Sequence, residues 1–93
     1  MQYSCSKCRE ELFSLWLERI VSSLNKRGHS LFLRFEGGEF VIDLPEKNKI
    51  IIILFSQDEV SFNSEGTHSS ERKIFKTDDW LGLLVLVYTH LEY

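Results

Sequence analysis

Cys5-Ser-Lys-Cys8, near the start of the chain, is the motif whose spacing suits metal or redox chemistry. Two thiolates so placed can supply half of a tetrahedral zinc site. The other half would come from His29, His68 and His90, none of which pairs with another at zinc-finger spacing, or from the cysteines of a second copy. Redox use of the same spacing belongs to a strand running into a helix, a setting the chain start does not offer. The first expectation is therefore two unpaired cysteines and no cofactor. Zinc held by Cys5 and Cys8 is the alternative.

Other chemistry finds less support. Serines are frequent, but no G-x-S-x-G elbow occurs. His29, beside Gly28, reads as a group that can carry charge at a helix C-terminus, His68 as a loop residue, and His90 as part of an exposed helical face. Glu10–Glu11 and Asp78–Asp79 are neighbours in sequence, and neighbours on a helix do not share a face, so neither makes an acid/base dyad. Gly37–Gly38 joins two strands, whereas a phosphate cradle leads from a strand into a helix. No residue is assigned a catalytic role, and an enzyme is not expected.

The charge balance narrows the partner class. Eleven basic residues against 14 acidic give a net charge of −3, with no basic stripe to suit a nucleic acid. Lys26–Arg27 and Arg72–Lys73 read as a solvated helix end and a solvated strand start. With 43% hydrophobic residues there is enough apolar surface to fold. The apolar run from Trp80 to Tyr88 is too short to span a bilayer, so no membrane partner is expected. Two cysteines and no visible export signal point to the cytoplasm.

The elements that would position these residues follow from periodicity. Residues 6–27 read as a helix whose apolar face is Leu12, Phe13, Trp16, Leu17, Ile20 and Leu24, ended by Gly28. Residues 30–36 and 39–44 read as a hairpin around Gly37–Gly38. A two-residue turn sets Phe35 opposite Phe40, Leu33 opposite Ile42 and Leu31 opposite Leu44, all on one face. Phe32, Arg34, Glu36, Glu39, Val41 and Asp43 fall on the other face. After a turn at residues 45–49, residues 50–55 form a continuous apolar run. Such a run suits a central strand covered on both faces, or covered on one and sheltered on the other. Residues 59–63 read as a fourth strand and 72–76 as a short fifth, with a polar loop over 63–70 between them. A final helix, capped by Thr77 with Asp78 and Asp79 in its first turn, would bury Trp80, Leu84, Val87, Tyr88 and Leu91 and turn Val85 and Leu86 away, Leu86 either onto the first helix or toward another chain.

The expected fold is one α+β domain over residues 1–93. It is a two-layer sandwich, an antiparallel meander of four to five strands with both terminal helices on one face and Trp16 and Trp80 in the core. The order helix, meander, helix, together with the six-residue run Phe40 to Pro45 (FVIDLP), resembles frataxin, a helix–sheet–helix iron-binding protein. Frataxin's central-strand motif, a tryptophan with a proline-containing turn, has no counterpart here. The first helix carries only Glu10, Glu11 and Glu18, where that family is densely acidic. The resemblance implies a shared architecture and no iron function.

The functional expectation rests on apolar groups left over once one core is filled. Phe32 and Val41, with Arg34 between them in sequence, lie away from the main apolar row, and Val85 and Leu86 lie outside the main face of the last helix. Surplus apolar surface on a small domain marks a partner site. The sequence therefore points to a small non-enzymatic protein-binding module of the inhibitor, immunity, anti-defence or adaptor type. It would bind a protein partner or a second copy through Phe32, Arg34, Val41, Val85 and Leu86. The alternative is a metal-linked or small-ligand protein built on the N-terminal cysteine pair.

Overall fold

A computed structural model describes residues 6–67, 69–76 and 78–92, the side chains of residues 6–8 and 80 excepted. The chain runs α1 (Ser6–Lys26), β1 (Phe32–Glu36), β2 (Glu39–Leu44), a 3-10 turn (Pro45–Lys47), β3 (Lys49–Phe55), β4 (Glu59–Gly66), β5 (Ser70–Lys76) and α2 (Trp80–Glu92). The five strands pair in chain order, each antiparallel to the next. Both helices pack on one sheet face, α1 on the β1 side and α2 on the β5 side. This is the two-layer α+β meander expected from the pattern, with the fifth strand present.

α1 buries Phe13, Leu17, Val21 and Leu24, with Trp16 and Ile20 half-buried beside them. Leu12, expected on that face, is 64% exposed. It precedes Phe13 by one step, which turns it about 100° from Phe13 and about 140° from Leu17 at the centre of the stripe. The helix ends where Gly28 adopts φ +104°. The Gly28 amide then bonds the Asn25 carbonyl (3.1 Å) and the His29 amide bonds the Leu24 carbonyl (3.2 Å), satisfying carbonyls the helix leaves open.

Gly37 and Gly38 hold φ +57° and +81°, the left-handed pair that a two-residue hairpin turn requires. Phe35 pairs with Phe40 and Leu33 with Ile42, as the turn dictates. β1 starts two residues later than expected. The Leu31 amide donates to Asn25 Oδ1 (2.8 Å), and Asn25 Nδ2 donates to the Leu31 carbonyl (3.0 Å), so α1 takes up that backbone.

In β3, Ile51 and Ile53 are fully buried against the helices, while Ile50 and Leu54 on the other face are exposed. The isoleucine run is thus covered on one side only. An aromatic cluster fills the space under the start of α1. Phe13 lies 5.3 Å from both Phe40 and Phe55 and 5.7 Å from Trp16, ring to ring.

The polar segment read as a loop over 63–70 is mostly ladder. Asn63 pairs with Arg72, Ser64 with Glu71 and Glu65 with Ser70, and the turn is closed by the Gly66 amide on the Ser69 carbonyl (2.8 Å). Short polar side chains conceal a strand whose apolar alternation has stopped. Here the neighbouring β3 supplies the pairing that the side chains do not signal.

α2 is phased differently from the expectation. Its buried line is Leu83, Val87 and Leu91, with Leu84 and Leu86 partly buried on either flank and Tyr88 turned outward. Asp79 precedes the helix. Its carbonyl accepts from the Leu83 amide (3.4 Å), and its carboxylate lies 3.0–3.2 Å from where a Gly82 side chain would begin. Asp79 thus occupies the position next to the helix start, and Gly82 leaves room for its side chain. Thr77 and the Trp80 side chain lie outside the described residues.

Candidate functional site

The sheet face away from the helices is built by alternation alone. β2 presents Glu39, Val41 and Asp43 there. Register then places Phe32, Arg34 and Glu36 on one side and Ile50, Ile52 and Leu54 on the other. β4 and β5 extend the face with Ser61, Asn63 and Glu65, then Arg72 and Ile74. Phe32 (59% exposed), Ile74 (53%), Ile50 and Leu54 give this face four open apolar side chains spread across the sheet. Between Phe32 and Ile50 lies a depression of about 600 Å³, rimmed by Asp43, Lys49 and Glu65.

Phe32 and Arg34 stand on this face as expected, and Val41 shares it, but Val41 is only 7% exposed. Arg34 lies opposite it on β1 and Ile52 opposite it on β3. Arg34 Nε bonds Glu36 Oε1 at 3.0 Å and its Nη1 bonds Asp43, so the side chain is tied down beside Val41. Glu36 first, and then Asp43, hold the guanidinium above its ordinary pKa. Val41 is therefore a covered residue rather than a contact residue, while Arg34 stays on the open face with its guanidinium engaged by Glu36 and Asp43.

Val85 and Leu86 do not join that surface. Val85 is 57% exposed on the outer side of the helical layer, where Leu81 and Tyr88 share its stripe at spacings of four and three. Leu86 is partly buried against the core. Of its two expected fates, packing inside the chain or facing another chain, its position against the core favours the first, because the phase of α2 turns it inward. The five residues thus divide between the two sides of the molecule and the core.

Cys5, and the side chain of Cys8 at the start of α1, lie outside the described residues. Among the described residues no cluster of three or more His, Cys, Asp or Glu side chains could hold a metal ion. No described helix is long and apolar enough to cross a membrane.

One polar cluster escaped the sequence reading. His90, expected on an exposed face, has a side chain only 15% exposed, set 5.1 Å from the Phe62 ring. Its Nε2 lies 3.0 Å from Glu71 Oε1 and its Nδ1 lies 3.0 Å from Lys49 Nζ. A neutral ring protonated at Nε2 satisfies both partners, donating to the carboxylate and accepting from the ammonium. Lys47 Nζ donates to the carbonyls of His90 (3.0 Å) and Leu91 (3.3 Å), at the end of α2. Burial, and then the neighbouring Lys49, lower the pKa of Lys47. The arrangement latches the end of α2 to β3 and β5. A signal for it existed: Lys49 and Glu71 both fall at inward-facing register positions, where a charge needs a partner.

No family model, curated protein or solved structure matches this chain.

Proposed function

We propose that this chain is a non-enzymatic protein-binding module that meets its partner with the open face of its sheet. The observation that carries the reading is a five-stranded sheet with helices on one face only, whose other face leaves Phe32, Ile50, Leu54 and Ile74 exposed. Exposed apolar side chains interspersed with charged ones, as here, lower the free energy of association when a partner covers them. The inhibitor, immunity and adaptor classes all work by occupying another protein's surface, and they need no catalytic group.

Sedimentation velocity of the purified chain over a range of concentrations, alone and with proteins recovered from its host, tests the reading. Phe32→Ser and Leu54→Lys should weaken whichever association appears. Each should change stability by no more than about 0.5–1 kcal/mol, because both residues are substantially exposed. Association that survives both changes would sink the open face as the contact. Metal analysis of protein purified without a histidine tag checks the alternative, since stoichiometric zinc would move the cysteine pair to first place.

A further inference from the structure

β1 is an edge of the sheet, and its outward backbone is only partly used. Asn25 makes to Leu31 both bonds that a neighbouring antiparallel strand would make, one accepted and one donated. Alternate residues of an antiparallel strand point their backbone groups to the same side. The amides and carbonyls of Leu33 and Phe35 therefore follow those of Leu31 outward. The turn agrees, because Glu36 and Glu39 flank the two-residue loop and form its hydrogen-bonded pair, which directs Arg34 and Phe32 toward β2 as well. Among the described residues nothing bonds the outward groups of Leu33 and Phe35.

α1 runs beside this edge. Ser14, Glu18, Asn25 and, at the far end, Lys26 face it across an open groove of about 610 Å³ that Leu33, Arg34 and Phe35 also line. From Ser14 to Asn25 the helix advances about 16 Å, the reach of about five extended residues. The groove is acidic toward the Phe35 end, where Glu10 and Glu11 line an adjoining hollow with Phe35 and Phe40. Glu10, Glu11 and Glu18 form no ion pair among the described residues, while Arg34 is neutralised by Glu36 and Asp43.

We propose that the β1 edge receives an extended peptide that alternates apolar and basic residues, added as a sixth strand between β1 and α1. Leu33 and Phe35 supply the main-chain bonds. Alternate side chains of the added strand point to opposite sheet faces, so its basic side chains lay their stems over Leu33 and Phe35 and reach Glu10, Glu11 and Glu18, while its apolar side chains fall beside Phe32 on the outer side. A second copy pairing through its own β1 is disfavoured, because it would bring the same three carboxylates to the same edge. The inference rests on the reading that the chain binds proteins, but it uses a different surface from the open face.

The test is NMR hydrogen exchange on the full chain with the probe acetyl-Lys-Val-Lys-Val-Lys-Val-Lys-amide. The Leu33 and Phe35 amides should exchange rapidly in the free protein and slow by about tenfold or more with the probe bound. Replacing each probe lysine by glutamate should weaken binding about tenfold at low salt. A probe N-methylated at alternate residues, which cannot pair as a strand, should not bind. Equal binding of the N-methylated probe would overturn the proposal, as would no binding of the lysine probe, or protection that appears along β5 instead of β1. Protection of Leu33 and Phe35 that rises with protein concentration alone would overturn the peptide in favour of a second copy. Phe35→Pro removes one outward amide and Phe35→Ala keeps it, so only the proline variant should lose the probe. The N-methylated probe preserves the test if that variant does not fold. Leu54→Lys, on the open face, should leave probe binding unchanged, which separates failure here from failure of the open-face reading.

Discussion

Phe32 and Val41 occupy one sheet face and differ in exposure because of their neighbours. Phe32 stands on the edge strand with nothing beyond it, while Val41 is flanked by Arg34 and Ile52. Val41→Ser should cost about 2 kcal/mol or more in urea unfolding, since it places a hydroxyl where a branched apolar group is buried. Phe32→Ser should cost far less, and equal losses would refute the distinction. Lys47 carries the pH dependence that can be assigned. Its pKa in the folded chain lies below the ordinary 10.5, chiefly through burial. Between the folded value and 10.5 the unfolded chain binds more protons, so this group's contribution to stability rises with pH there. The comparison is with Lys47→Met, which keeps every other titrating group. The wild type should gain stability relative to that variant as pH climbs from neutral toward 10.5, and a relative loss would contradict the assignment.

α2 shows how one element can be recognised and still be rotated wrongly. Nine of its 13 residues are apolar, so hydrophobic spacing alone barely distinguishes its faces. The buried line through Leu83, Val87 and Leu91 is selected by the sheet and by His90, which must reach Glu71 and Lys49. Leu86 is consequently a packing residue. Leu86→Ala should lower stability by about 2 kcal/mol, the small end for a truncated leucine because the site is only partly buried. Sedimentation should show association unchanged. A normal unfolding midpoint with impaired association would restore Leu86 to an interface. The Gly37–Gly38 hairpin is the opposite case. Turn chemistry and alternation specify its register together, leaving tertiary packing little to decide.

At the scale of the whole molecule, the sheet has one covered face, one open face and two edges of unequal exposure. α1 and α2 bury Ile51, Ile53 and Phe62 completely at the centre, while β1 has one half-buried residue among four exposed ones. Local stability should follow the same gradient. Native-state hydrogen exchange should find the paired amides of β3 and β4 opening only with global unfolding, and those of β1 opening well below that free energy. Uniform protection across all five strands would show that the edge is as firmly held as the centre.

The sequence by itself determined the fold class, the order of elements, the end of α1 at Gly28 and the pairing of Phe35 with Phe40. Each follows from contacts between near neighbours: a helical stripe, a glycine able to take positive φ, and alternation across a tight turn. It also placed Phe32 and Arg34 on the sheet face that proved to be open. Only the tertiary structure decided that Val41 is covered, that Leu86 points inward while Val85 does not, and that residues 64–66 belong to a strand. It alone joined His90 to Glu71 and Lys49, residues 19 and 41 positions away. These outcomes depend on which side chains from distant segments arrive on either side of a residue, and no local periodicity contains that information.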